Sequence, residues 1–383
     1  MRELKVYPVS TRRDRYRFVR FPLDLYRDNP YFVPPLWGDE MAIFTPRNAY
    51  ADTCESAFFL AERDGRIVGR IQGILQKQYN RLHGEKRVRF TRFDTVDDPA
   101  VAHALFEALE NWALSLGMDT VCGPLGYSDL EREGLLIEGF DYLSTFEEQY
   151  NYPYYAPLIE GEGYAKEIDW LEFRLRGGKR NEMLHRVAER SLEINRLHLA
   201  GDDLSKKAYI EKYKDGVFAC LDKCYEHLYG VVPFTEGMKK QLIDQFMLIL
   251  NKEYLIIICD EQDNVVAFGL CIPGIGEALQ KSGGRLTPAA LIRLLRRVKK
   301  PKSIDLGLVA VLPEYQSTGV NAVMLDTMAS VLESGAIEYF ETNLNLETNH
   351  QVMAQWKYFN SEQHKRRRSY VKKLNRKDDN PHA

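Results

Sequence analysis

The sequence predicts an α/β (α+β) protein of two tandem domains, each a mixed, mainly antiparallel twisted sheet flanked by helices. Three observations predict it. The order of helical and strand-like segments in the first half recurs in the second. The chain has 383 residues, room for two cores of ordinary size. Near the end a strand-like run, 304–311, passes through a tight polar loop straight into a helical pattern.

In the first half, helical segments are expected near 13–26 and 35–43, then strands at 57–62 and 67–73 joined by the turn Arg63-Asp64-Gly65-Arg66. A strand at 87–96, a helix at 99–116 opened by Pro99, a strand at 120–122, a short helix near 153–160 and a strand at 168–175 follow. Paired glycines and charge at 176–180 set the boundary, giving domains 1–177 and 191–383 with a linker helix at 178–190. The second half opens with helices at 206–228 and 236–250, the latter capped by Thr235. Strands at 254–259 and 265–271 flank a polar hairpin, and Thr287-Pro288 starts a central helix to about Lys300. After the 304–311 strand come a helix to about Ser334, a strand at 337–344, a helix at 349–359 and a last strand at 367–373.

The junction after 304–311 is the most informative stretch. Pro313 ends the strand because it cannot donate to the ladder, and Gly319 permits a positive φ or close backbone approach. A helix beginning directly afterwards offers unpaired N–H groups and the positive end of its dipole, an anion site suited to a pyrophosphate. A plain strand-to-helix connection accounts for the same residues.

Composition bounds the rest. A net charge of −3 with 45% hydrophobic residues describes an ordinary globular chain, without the positive excess of a nucleic-acid binder, so small-molecule partners are expected. The N-terminus has no apolar signal core, and the longest apolar runs, such as 254–259, are too short to span a bilayer. A cytoplasmic location without a membrane partner is expected; the oligomeric state is left open. Cys54, Cys122, Cys220, Cys224, Cys259 and Cys271 lack the close pairs of a zinc site and read as reduced thiols, with no metal site.

The order of elements, with Val311-x-Pro313-Glu314-x-Gln316-x-x-Gly319 between strand and helix, resembles the GNAT acyltransferase superfamily, and the repetition resembles its tandem members. The likeness covers nearly the whole chain. It implies acetyl-coenzyme A or another acyl-coenzyme A as co-substrate and a small amine as acceptor. Carried over, it sets Val309 and Val311 beside the pantetheine arm, and Gln316, Ser317, Thr318, Gly319, Val320 and Asn321 around the phosphates.

Three departures from the family pattern matter. Asn321 stands where a second Gly or Ala is usual. The family's proton donor is a Tyr seven residues after an Asn on the following helix; counted from Asn349, that position is Trp356, whose indole cannot act as a general acid. Asn349 and Trp356 are thereby set beside the coenzyme, and Tyr358, about 200° further round an ideal helix, is the substitute donor. In the first half the corresponding loop is Asp94-Thr95-Val96-Asp97-Asp98-Pro99, without Gly and with carboxylates that repel a pyrophosphate, so this domain is read as a degenerate copy.

For the acceptor, Tyr127, Glu138 and the tyrosine-rich stretch Tyr150 to Tyr155 either line a pocket facing the second domain or pack as an aromatic interface. Glu341, sharing an alternating strand face with Asn343 and Asn345, is the candidate base or acceptor-orienting group, though an edge carboxylate explains it equally. The basic runs Arg293 to Lys300 and Lys365 to Arg368 are read as solvated faces or dipole-complementing helix ends. The leading reading is an acyl-coenzyme A-dependent N-acyltransferase, most simply an acetyltransferase. A catalytically inactive acyl-coenzyme A sensor, suggested by Trp356, and a transferase using aminoacyl-transfer RNA are the alternatives.

Overall fold

One continuous sheet runs through both halves of the chain. The computed structural model describes residues 3–177, 181–201 and 203–375, so Gly178, Lys179 and Arg180 of the expected boundary lie outside the described residues. Its strands are β1 (Leu4–Pro8), β2 (Cys54–Arg63), β3 (Arg66–Gln76), β4 (Arg87–Thr95), β5 (Thr120–Gly123), β6 (Leu135–Glu138), β7 (Ala165–Arg176), β8 (His198–Leu199), β9 (Leu255–Cys259), β10 (Val265–Pro273), β11 (Ser303–Val311), β12 (Tyr339–Thr342), β13 (Asn345–Leu346) and β14 (Asn360–Lys373). They lie in the order β1-β2-β3-β4-β5-β14-β7-β12-β11-β10-β9-β8, with β6 on β14 and β13 on β7.

Pairing is antiparallel except at β4–β5 and β11–β12, which are parallel. Parallel neighbours need a crossover. Helix Pro99–Ser115 supplies it in the first half and Val320–Glu333 in the second, the repeat that the sequence carries. Both parallel pairs are short. Arg87, Val88 and Arg89 face Thr120, Val121 and Cys122, and 303–306 face 339–342; beyond these the strands part and leave one edge of β4 and of β11 without a strand partner among the described residues.

The terminal strands are exchanged between the halves. β7, from the first half of the sequence, pairs with β12 of the second, while β14, the last strand, lies between β5 of the first half and β7. The expected split into 1–177 and 191–383 thus divides the sequence at a point where the sheet does not divide. Helix starts follow local chemistry. Thr287 caps Pro288–Lys299 through Ala290 N–H, Asp98 caps Pro99–Ser115 through Ala100 N–H, and Thr235 accepts from Met238 N–H.

Several elements differ from expectation. β1, β6, β8 and β13 are short strands whose pattern is too brief to read, and the expected 337–344 strand breaks into β12 and β13 where the chain leaves β11 for β7. The expected 349–359 helix is a single α-turn, His350–Met353, followed by the 3-10 turn Ala354–Tyr358. Among the described residues no helix is long and apolar enough to cross a membrane. All six cysteines are free thiols, and Cys224 alone among them is not buried.

Candidate functional site

The loop after β11 has the backbone of an anion cradle. Ser317 and Gly319 both take left-handed conformations, φ 66° and 88°, with Thr318 N–H between them turned back to the Tyr315 carbonyl at 3.3 Å. The N-terminus of helix Val320–Glu333 adds its own unsatisfied donors. The back of the loop is braced by helix Glu182–Ile194. Ser191 Oγ donates to the Thr318 carbonyl at 3.0 Å, and a Cβ on Gly319 would come within 3.3 Å of Ser191 Cβ. Thr318 Oγ1 closes the turn onto the Tyr315 carbonyl at 2.7 Å, and Val320 is buried beneath the helix. Asn321, in the first helical turn, has a partly exposed side chain.

The unpaired edge of β11 is covered by side chains. Tyr225, at the end of helix Lys206–Tyr225, donates its hydroxyl to the Val309 carbonyl at 2.9 Å. Gln316 Nε2 reaches the Val311 carbonyl at 3.0 Å, and Cys224 Sγ lies 3.2 Å from the same oxygen. Within the loop Gln316 N–H donates to the Leu312 carbonyl at 3.2 Å and Thr318 N–H to the Tyr315 carbonyl at 3.3 Å, so an anion here would draw on the N–H groups of Ser317, Gly319, Val320 and Asn321, and a pantetheine arm on this edge would have to take the place of the Tyr225 hydroxyl.

The first half repeats this arrangement in a closed form. Tyr155 hydroxyl accepts from Thr95 N–H at 3.0 Å and Tyr154 hydroxyl donates to the Thr95 carbonyl at 2.8 Å. Asp94 is buried and held by Arg70 at 2.8 Å and Tyr26 at 2.9 Å. Both backbone groups of Thr95 on β4 are thus taken by tyrosine hydroxyls.

Where β11 and β12 part, a cleft of about 130 Å³ opens, lined by Tyr225, Leu308, Asn343, Glu133, Glu147 and Glu148 among others. Glu147 comes from the loop between β6 and β7, and its Oε2 lies 3.5 Å from Asn343 Nδ2. Desolvation raises its carboxyl to about 7, with Arg132 opposing. Burial raises Glu148 to about 8 against the pull of Arg367, and Asp129 to about 6. Glu133 is pushed well above the carboxylate range by burial. Burial also pushes the Tyr225 phenol up, so it stays protonated at neutral pH. A cleft lined both by a carboxyl that burial pushes up to about 7 and by a protonated phenol is equipped to take one proton and give another.

The other expected residues fall elsewhere. Glu341 is no free base: His364 Nε2 lies 2.7 Å and Arg174 Nε 3.0 Å away, with Lys365 in closer contact still. Burial disfavours its charge, but Lys365, His364 and Arg174 outweigh that and hold the carboxyl far below its usual range. Tyr358 is 37% exposed on the 3-10 turn, and Trp356 is buried in the core beneath helix Val320–Glu333; neither lines the cleft. Asn349 caps the turn that follows it, accepting from Val352 N–H at 3.3 Å.

Tyr127 is a packing residue, stacked on Tyr50 at 5.1 Å and bonded to Gln72 at 2.8 Å. Glu138 is exposed and pairs with Arg366 at 3.2 Å. Asn343 does line the cleft, while Asn345 braces β7 through the Leu171 carbonyl at 3.0 Å. The run Lys365 to Arg368 is not a solvated face: Lys365 and Arg367 are buried on Glu341 and Glu172, and Arg366 and Arg368 both pair with Asp169. Sequence reading missed Glu147 and Tyr225. The one available signal was the doublet Glu147-Glu148 inside an aromatic loop, acids where a packing loop has no use for them.

No family model matches the chain. It is 28% identical over 375 residues to Protein YghO of Escherichia coli K12, covering 94% of this chain and 93% of that protein. It is 29% identical over 331 residues to a bacterial ceramide synthase of Caulobacter vibrioides, covering 82% of each. Among solved structures, a tandem GNAT protein from the clavulanic acid biosynthesis pathway superposes with a TM-score of 0.57 at 12% identity, over 98% of this chain and 100% of that one. The exchanged halves, each with its parallel pair and crossover helix, make this chain a tandem protein of the GNAT fold.

Proposed function

We propose that the chain is an acyl-coenzyme A-dependent N-acyltransferase whose second half carries the reaction. The observation that carries this reading is the cleft where β11 and β12 separate, which brings Glu147, 3.5 Å from Asn343, into one lining with Tyr225; burial there pushes the Glu147 carboxyl up to about 7. An amine acceptor arrives protonated at neutral pH. Glu147 takes that proton, directly or through water, and passes it to solvent; the freed nitrogen forms its bond to the thioester carbon, and the second proton that the nitrogen sheds from the tetrahedral adduct goes to Glu147 in turn and on to solvent. Asn343, whose Nδ2 lies 3.5 Å from Glu147 Oε2, orients the acceptor. When the carbon–sulfur bond breaks, Tyr225 gives its phenolic proton to the leaving sulfur and is reprotonated from solvent. The loop from Gln316 to Asn321 holds the donor's phosphates with backbone N–H groups.

A second reading concerns the acceptor. One relative is named a ceramide synthase. Ceramides are amides of long-chain amino alcohols, which favours an acceptor of that class over a small polar amine.

The test is release of free thiol from acyl-coenzyme A thioesters, acetyl to palmitoyl, against amines that include long-chain amino alcohols, alongside thermal melts with each thioester. Thiol release that depends on the amine supports transfer. A raised Tm without thiol release supports the sensing alternative, and absence of both at millimolar thioester overturns the coenzyme A reading.

A further inference from the structure

Beneath the helices that cover the second half lies a second cavity, of about 110 Å³, against the same sheet face as the cleft. Its walls are carbon. Phe218 and Leu221 project from helix Lys206–Tyr225, Leu242 from helix Glu236–Met247, and Phe268 from β10. It follows the first of these helices from Leu221 back to Ile210, about 16 Å at the α-helical rise. A slot so long, narrow and free of polar groups has no means of holding a head group.

The slot and the cleft share walls. Leu130, Phe246, Leu270 and Leu308 line both, and Leu308 sits on β11 one residue before Val309, whose carbonyl Tyr225 holds. A group reacting between Glu147 and Tyr225 therefore has a dry passage leading away from it past Leu308. Glu147, Leu130 and Phe246 also line a much larger polar cavity, of about 1020 Å³, between the first-half loops and helix Glu236–Met247, which supplies a wide aqueous approach on another side. Polar and apolar parts of a substrate thus have separate routes from one reacting point.

We infer that the slot beneath Leu308 binds an unbranched hydrocarbon chain attached to the reacting end of a substrate, so that the transfer involves a long-chain partner rather than an acetyl group and a small amine alone. This rests on the cleft being the transfer site. The chain belongs either to the acyl donor or to the amine acceptor, and the chemistry of the slot is the same for both.

The experiment has an arm that needs no turnover. A fluorescent polyene fatty acid is titrated into the full chain and displaced by saturated fatty acids of increasing length. Binding should tighten by about four-fold per added methylene until the slot is filled, the usual gain for a buried CH2. Ile210→Trp, which fills the end away from Tyr225, should move the plateau to shorter chains, and Phe268→Ala, which widens the slot, should move it to longer ones. In the second arm, kcat/KM is measured against donor chain length with a fixed amine and against acceptor chain length with a fixed donor; the steeper series identifies the source of the chain. Chain-length-dependent binding that shifts with these variants supports the slot even where no transfer is seen, a result that would count only against the transfer reading. Length-independent binding, or variants that fold with melts like the parent and leave the plateau unmoved, overturns the inference.

Discussion

The hydroxyl of Tyr225 lies 2.9 Å from the carbonyl oxygen of Val309, on the stretch of β11 beyond its pairing with β12, where no strand among the described residues pairs. One helix end thus serves as the missing hydrogen-bond partner of a sheet edge, which is otherwise a site for adventitious strand pairing. It also sets a protonated phenol at the mouth of the acidic cleft. Removing the hydroxyl separates the two roles. Tyr225→Phe should lower kcat by about 10²- to 10⁴-fold, the range for losing a positioned proton donor, while KM for the thioester stays level or falls because the Val309 edge is freed. An unchanged kcat would assign the proton to another group.

Glu147 makes a prediction in pH. As a base it works ionised, and its carboxyl is raised to about 7, so kcat/KM should rise through that region and level off above it. Glu147→Gln should abolish that limb along with most of the rate. Stability should move the other way. A carboxyl whose folded pKa exceeds its unfolded one favours the fold in its protonated form, a contribution present below the unfolded value and lost as pH rises through about 7. Denaturant midpoints measured across pH 4 to 8 should therefore decline less steeply for Glu147→Gln than for the parent, and parallel curves would show that Glu147 titrates normally.

What the sequence revealed and concealed follows from how far apart the interacting groups are. The turn after β11 was legible because its parts, Pro313, Gly319 and the helix after them, are consecutive, and backbone preference acts locally. Glu341 was misread because alternation along a strand says which face a side chain takes and nothing of what lies opposite; Lys365 and His364 on β14 are its neighbours only through the exchanged strands. Tyr225 and Glu147 come from a helix end and a loop whose approach to β11 and β12 depends on the packing of both halves.

The buried ion cluster gives a stability test. Lys365 sits on Glu341 and Glu172, and Arg367 on Glu172 at 2.6 Å, all within the sheet interior. Lys365→Met leaves these carboxylates short of a counter-charge and should cost about 3–5 kcal/mol in denaturant unfolding. Glu138→Gln, at an exposed pair with Arg366, should cost under about 1 kcal/mol. Equal costs would mean that the cluster is neutralised by protonation when its lysine is lost.

The exchange of β7 and β14 has the most direct consequence for folding. In isolation, residues 3–177 would have β5 without the partner that β14 provides, and 181–375 would have β12 without β7. Each fragment would expose a bare strand edge next to unsatisfied charges, among them Glu148 and Glu172 in one and Arg367 in the other. Expressed separately, both fragments should aggregate or lack a cooperative unfolding transition. Co-expressed, they should assemble into a soluble one-to-one complex with a single transition, because β7 and β14 pair with each other along nearly their whole length. A fragment 3–177 that alone gives a sharp, reversible transition and dispersed amide resonances would show that the first half closes its own sheet and that the exchange is dispensable for its folding.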